Sequence, residues 1–402
     1  MTEIGGSVEA GFEGVADAFR TNFEEHGEVG AAVALYVGGQ KVVDLWGGMA
    51  DRAAGTPYTG DSLQLVFSTT KGATAACANL LAQRGDLDMD APVAEYWPEF
   101  KASGKAEIPV RWLLCHKAGL PYVDATLTLD EALAWEPMVR ALEAQPPVWE
   151  PGTGHGYHAT TYGWLVGEVV KRISGRSLGT FFQDEIARPL GLEFWVGLPE
   201  SEQHRVAPLL QWGSLGGGAS AAPRDPELAK LLERFMGPDT LLGKALAAPS
   251  GAISGAEGGF NNPAVRAAEI PAANGVTNAR SLARFYGGLA GTVEGGPATP
   301  VLDADQVAKA SERQTFGPDK CLLFETTFGL GFFVASPFAP YGGAKAFGHT
   351  GAGGSVGFTD PEHGIGFGYV MNKMGMSLNG DPRSGGLIKA VYAAIGVEPT
   401  YV

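Results

Sequence analysis

Cysteine is scarce: Cys77, Cys115 and Cys321 are the only three in 402 residues, odd in number and far apart. That excludes a disulfide framework, and no Cys-x-x-Cys pair or His cluster offers a zinc site. Positive charge is also short, with 29 Lys+Arg against 44 Asp+Glu and a formal net charge of −15. Such a surface repels phosphate backbones and anionic lipid, so neither nucleic acid nor a membrane surface is expected as a partner. No apolar run reaches membrane-spanning length, and Met1 to Gly5 lack the basic and apolar regions of a signal peptide. The expectation is a cytoplasmic protein. Composition neither requires nor excludes a homo-oligomer.

What is abundant is glycine, 59 residues, beside 26 prolines. Together they stay below the roughly 25–30 % that marks low-complexity chains. The 20 Phe, 11 Tyr and 8 Trp make a packed core the expectation. Val8, Phe12, Val15, Phe19 and Phe23 recur at helical spacing and predict an amphipathic helix. Two apolar runs follow, 31–37 and 41–46, joined by Gly38, Gly39 and Gln40 as a β-hairpin. Helical patterns then cover 73–84, 110–114, 129–144 and 161–173. From Pro199 to Ala273 the chain is rich in Gly, Ala and Pro, including 216–220, with one predicted helix from Glu227 to Phe235. Strands return over 328–334, 346–349, 355–358 and 365–372, and a helix over 387–395 closes the chain.

Strands at both ends around a helical middle imply an α+β fold on a largely antiparallel sheet. Residues 1–66 and 262–402 are expected to form the sheet domain, and 67–261 a helical domain with cleft loops.

Ser68 and Lys71 stand three residues apart at the head of an apolar helix, which sets the ammonium beside the hydroxyl. A desolvated lysine can take the proton of a serine nucleophile, and a helix N-terminus favours developing negative charge. By itself the pair reads as a helix cap and a solvated lysine, since Ser and Lys are common. Gly353-Gly354-Ser355-Val356-Gly357 matches the nucleophile elbow Gly-x-Ser-x-Gly. The elbow requires a following helix and a later Asp…His pair. Here a strand end and a turn follow, and the last histidine, His363, comes three residues after Asp360. Ser355 is therefore expected to open a strand.

Tyr157-His158-Ala159 and His349-Thr350-Gly351 lie downstream of Ser68-x-x-Lys71. In order and spacing, from about residue 30 to 395, these elements resemble the serine β-lactamase and penicillin-binding-protein superfamily. The resemblance is to its class C β-lactamase-like branch, which includes the family VIII carboxylesterases. It implies Ser68 as nucleophile and Lys71 with Tyr157 as the base system, Tyr157 as a phenolate favoured by the ammonium. It further implies an oxyanion hole from the N–H groups of Ser68 and Ala352, and His158, His349, Thr350 and Gly351 along the substrate site, with Gly351 letting substrate approach the backbone. His349 also reads as a core histidine, and His116 and His155 as structural residues.

Two positions depart from the penicillin-processing pattern. Ala159 replaces an Asn that would bond a substrate amide, and His349 replaces a Lys that would hold a carboxylate. Both changes point to ester substrates. The expected function is hydrolysis of short-chain carboxylic esters, a small-molecule substrate, with neither cofactor nor metal. The other readings are an amidase, β-lactamase, D-aminopeptidase or acyltransferase of the same superfamily, or a non-catalytic penicillin-binding-like protein.

Overall fold

Ala31 to Val37 is apolar at every position, so neither face of that strand can be turned to water. The computed structural model describes residues 2–210, 237–375 and 380–401, with Arg234. Its strands are β1 (Ile4–Val8), β2 (Gly30–Val37), β3 (Gln40–Asp51), β4 (Thr56–Pro57), β5 (Gln64–Leu65), β6 (Phe194–Trp195) and β7 (Val276–Thr277). β8 (Thr315–Pro318), β9 (Glu325–Phe328), β10 (Phe333–Val334), β11 (Phe347–Thr350), β12 (Val356–Asp360) and β13 (Ile365–Met371) follow. An antiparallel sheet runs in the order β1-β3-β2-β13-β12-β11-β10-β9-β8, with β4 on β3, while β5, β7 and β6 form a small second sheet. The fold is α+β.

Both faces of the central strands of the large sheet are buried. Ala31, Val33 and Leu35 pack with Val15 and Phe19 of α1 (Glu13–Glu24) and with Leu387 and Val391 of the C-terminal helix Pro382–Ala394. Ala32, Ala34 and Tyr36 point the other way, toward Leu282 and Tyr286 of helix Ala279–Ala290. That helix approaches β13 closely because Gly366 and Gly368 carry no side chain. A Cβ on Gly366 would come within 2.4 Å of the Gly287 nitrogen, and one on Gly368 within 2.6 Å of the Ala279 carbonyl.

Some elements differ from the sequence expectation. Val8 belongs to a strand paired with Val43, and the first helix starts only at Glu13. The helix expected over 129–144 is two, Leu129–Leu133 and Glu136–Ala144. They part at Trp135, whose φ is +64° and whose indole N–H donates to Glu168 at 2.7 Å, and Pro137 suits the first turn of the second. The expected strand 328–334 is split into β9 and β10 by a turn at Gly329 to Phe332. Helices Leu241–Ala247, Ala279–Ala290 and Ala304–Ser311, absent from the sequence expectation, are capped by Thr240, Asn278 and Asp303. The predicted helix 227–235 and the Gly-rich 216–220 lie outside the described residues, Arg234 apart.

The central helix α2 (Thr70–Arg84) is buried at every position from Thr70 to Leu81, which explains its small, Ala-rich side chains. Among the described residues no helix is long and apolar enough to cross a membrane.

Candidate active site

The passage from β5 into α2 is a sharp turn. Phe67 takes a φ of +44°, a region disfavoured for a bulky side chain. Backbone bonds hold it there: Val66 N donates to Gly275 O at 2.9 Å, Thr69 N to Val66 O at 3.1 Å and Thr70 N to Phe67 O at 2.9 Å. The turn sets Ser68 just ahead of the helix N-terminus, where the helix dipole favours negative charge.

Lys71 lies one turn further on and is fully buried. Its Nζ stands 3.1 Å from Ser68 Oγ and donates to the carbonyls of Ala159 (2.6 Å) and Ala272 (3.0 Å). Burial pushes its pKa well below the ordinary lysine value. With two N–H groups fixed on carbonyls, the remaining position of Nζ faces the Ser68 hydroxyl. The third residue of the Tyr157 motif, Ala159, thus acts through its backbone carbonyl.

Tyr157 arrives on an extended segment, its ring centroid 4.7 Å from Lys71 Nζ and its hydroxyl in contact with Ser68. Phe328 and Phe333 stack along the ring. Burial raises the phenol pKa, outweighing the opposing pull of the Ser68 hydrogen bond. Burial thus works against the expected ammonium-favoured phenolate, favouring the protonated phenol of Tyr157 and the neutral form of Lys71.

Ser68, Tyr157, Thr350, Gly351 and Ala352 line one small cavity of about 50 Å³. Its apolar walls are Leu242, Leu246, Leu322, Phe333 and Phe338, and among the described residues no charged side chain lines it. Larger hollows of about 480 and 810 Å³ lie elsewhere, but Ser68, Lys71 and Tyr157 line neither.

His158 and His349 sit behind this surface. His158 is fully buried, its Nδ1–H donating to Gly156 O at 2.7 Å and its Nε2 accepting from Leu120 N at 2.9 Å. Both ring nitrogens are occupied, and burial lowers its pKa to about 3, so it ties backbone together and offers nothing to the cavity. His349 is equally buried, its ring 4.6 Å from that of Phe333, with Nδ1–H donating to Thr350 O at 2.7 Å. Burial pushes its pKa well below the ordinary histidine value. Gly351 does line the cavity, yet the chain itself demands its bare backbone: a Cβ would come within 2.2 Å of Val66 O and 2.3 Å of Ser355 Oγ.

Ser355 is buried, donates to Val66 O at 2.9 Å and precedes β12 rather than a helix. His116 packs 5.0 Å from the Tyr157 ring, and its Nδ1 accepts from His158 N at 3.2 Å. Asp360, Glu362 and His363 stand close in the β12–β13 turn, but Asp360 already accepts from His363 (2.8 Å) and Tyr392 (2.6 Å). Sequence reasoning missed Leu242, Leu322, Phe333 and Phe338, since an apolar residue in a loop, a short strand or a short helix carries no sign of facing a cleft.

A Beta-lactamase family model matches residues 15–388. Esterase/beta-lactamase LipL of Mycobacterium tuberculosis is 37 % identical over 375 residues, 92 % of this chain and 83 % of that protein. The crystal structure of a family VIII carboxylesterase is similar with a TM-score of 0.85 at 37 % identity, covering 98 % of this chain and 100 % of that one. A penicillin-binding protein homolog from Caulobacter crescentus has the same TM-score, identity and coverage. The chain therefore belongs to the beta-lactamase family.

Proposed function

We propose that this protein is a serine hydrolase that cleaves short-chain carboxylic esters through an acyl-enzyme on Ser68. The observation that carries the reading is the Ser68–Lys71 pair, 3.1 Å apart, with Lys71 buried and braced by two carbonyls. Lys71 accepts the Ser68 proton as Oγ attacks the ester carbonyl. The N–H groups of Ser68 and Ala352, both on the cavity wall, receive the oxyanion. The Tyr157 hydroxyl gives its proton to the departing alkoxide and is replenished from the Lys71 ammonium. In the second half water attacks the acyl-enzyme as Lys71 takes up its proton, and Lys71 returns that proton to Ser68 Oγ as the Oγ–acyl bond breaks and the acid leaves. Thr350 and Gly351 form the edge along which substrate lies.

The small cavity supports short acyl chains, and the absence of a charged lining residue among those described supports neutral esters over carboxylate-bearing lactams. In this reading the cleft lies between a sheet unit, 1–66 and 262–402, and a helical unit, 67–261. The protein works in the cytoplasm, consistent with three free, buried thiols.

The test is a panel of p-nitrophenyl esters of rising chain length, plus nitrocefin, on wild type, Ser68→Ala and Ser355→Ala. Acetate and butyrate esters are expected to turn over best and nitrocefin least. Ser68→Ala should lose at least about a thousandfold in kcat, while Ser355→Ala keeps the same ester preference. Activity surviving in Ser68→Ala but lost in Ser355→Ala overturns the assignment.

A further inference from the structure

Asp319 lies in the turn between β8 and β9, outside every motif that marks the site. Its carboxylate is buried, and among the described residues no Lys or Arg forms an ion pair with it. A buried carboxylate without a cation is tolerated only when donors fill its lone pairs. Here one oxygen accepts the N–H groups of Tyr157 (3.0 Å), Cys321 (2.8 Å) and Leu322 (2.8 Å). The other accepts the Thr326 hydroxyl at 3.2 Å. His155 Nε2 lies 2.8 Å from Thr326 Oγ1 and 3.9 Å from the carboxylate, and Lys320 N donates to His155 O at 3.0 Å.

One side chain therefore grips the backbone of two residues on the wall of the cavity, Tyr157 and Leu322, which are far apart in sequence. The same hairpin supplies Phe328, whose ring lies nearly parallel to that of Tyr157 at 11°. On the other side, Gly156 N donates to His116 O at 3.1 Å, so the segment is clamped from both flanks.

We propose that Asp319 is a positioning residue for the ester hydrolysis, holding the Tyr157 backbone so that the phenol meets Ser68. The proposal rests on the reading of Tyr157 as proton carrier. Displacement of a catalytic group by about 1 Å can cost about a hundredfold in rate, so Asp319→Asn, similar in shape but uncharged, should lower kcat about ten- to a hundredfold while KM changes less than about threefold.

A double-mutant cycle separates positioning from general support. We would measure kcat and KM on p-nitrophenyl acetate, and the rate at which a fluorophosphonate labels Ser68, in wild type, Asp319→Asn, Tyr157→Phe and the double variant. Acting through Tyr157, Asp319→Asn should cost less than about twofold once Tyr157 is Phe. The same loss in both backgrounds, or no loss in wild type, overturns the proposal. Wild-type turnover by Tyr157→Phe would instead overturn the proton-carrier reading beneath it. Thr326→Val removes one donor to the carboxylate with little change of shape, and a several-fold kcat loss that vanishes in the Tyr157→Phe background is expected. Where Asp319→Asn does not fold, unchanged kcat in Thr326→Val overturns the proposal.

Discussion

Among the described residues Lys71 has no carboxylate as a hydrogen-bond partner; its Nζ contacts a hydroxyl and two carbonyl oxygens, and the side chain is fully buried. Burial lowers its pKa, so the folded protein binds this proton more weakly than the unfolded chain does. The unfolded state binds more protons between the two pKa values, and this group adds stability as pH rises through that window. Catalysis follows the same direction, since the neutral amine is the active form. We expect kcat/KM on p-nitrophenyl acetate to rise with pH, about tenfold per unit on the acid side, to a plateau that begins well below pH 10.5. A profile flat across the acid range in stably folded protein would remove Lys71 as the base. Lys71→Arg keeps a cation that does not give up its proton, and a kcat loss of about a hundredfold or more is expected. An active Lys71→Arg enzyme would sink the same idea. The Ser68–Lys71 pair was legible because its geometry is one helical turn. The Ala159 and Ala272 carbonyls were not, since they come from segments 88 and 201 residues away.

Among the elements, the C-terminal helix Pro382–Ala394 does more than cover the sheet. In its first turn, Arg383 donates to Gly353 O at 2.7 Å and to Lys373 O at 2.8 Å, and pairs with Asp381 at 2.7 Å and Glu28 at 3.1 Å. Gly353 directly follows Ala352, so the helix anchors the loop that carries the proposed oxyanion donor. Burial raises the Glu28 pKa, and the Arg383 cation and the Tyr369 hydroxyl oppose that rise. Arg383→Met leaves Glu28 and Asp381 buried and unpaired. We expect about 3–5 kcal/mol less stability in urea titrations, with the loss smaller at pH 5 than at pH 8 because protonated Glu28 no longer needs the cation. An unchanged urea midpoint at pH 8 would refute this account. The hairpin through Gly38 and Gly39 was readable from turn chemistry and apolar runs. The split at Trp135 and the tie at Arg383 were not, because each is decided by a partner outside its own helix.

At the scale of the molecule, one apolar cluster joins the two proposed units: Ala32, Ala34 and Tyr36 of the sheet share it with α2 and with Trp164, Leu165 and Phe181 of the helical region. β6 of the helical unit pairs with β7 of the sheet unit across the same divide. A shared core of this kind predicts cooperative loss of both units. Far-UV circular dichroism, tryptophan fluorescence and ester turnover should fall together on heating. Two separated transitions would show that the units are thermodynamically independent.

The sequence by itself determined what depends on near neighbours: the helical turn that pairs Ser68 with Lys71, the Gly-Gly hairpin, the apolar strands covered on both faces. Motif order added the placing of Tyr157, Thr350, Gly351 and Ala352, which line one cavity. Only the tertiary structure decided which groups are dry. Burial favours the protonated phenol of Tyr157, lowers the pKa of Lys71, and withdraws His158 and His349 from the cavity they were expected to line. Local geometry follows from dihedral angles and side-chain spacing, whereas desolvation and long-range hydrogen bonds, Asp319 to Tyr157 among them, exist only once distant segments have packed together.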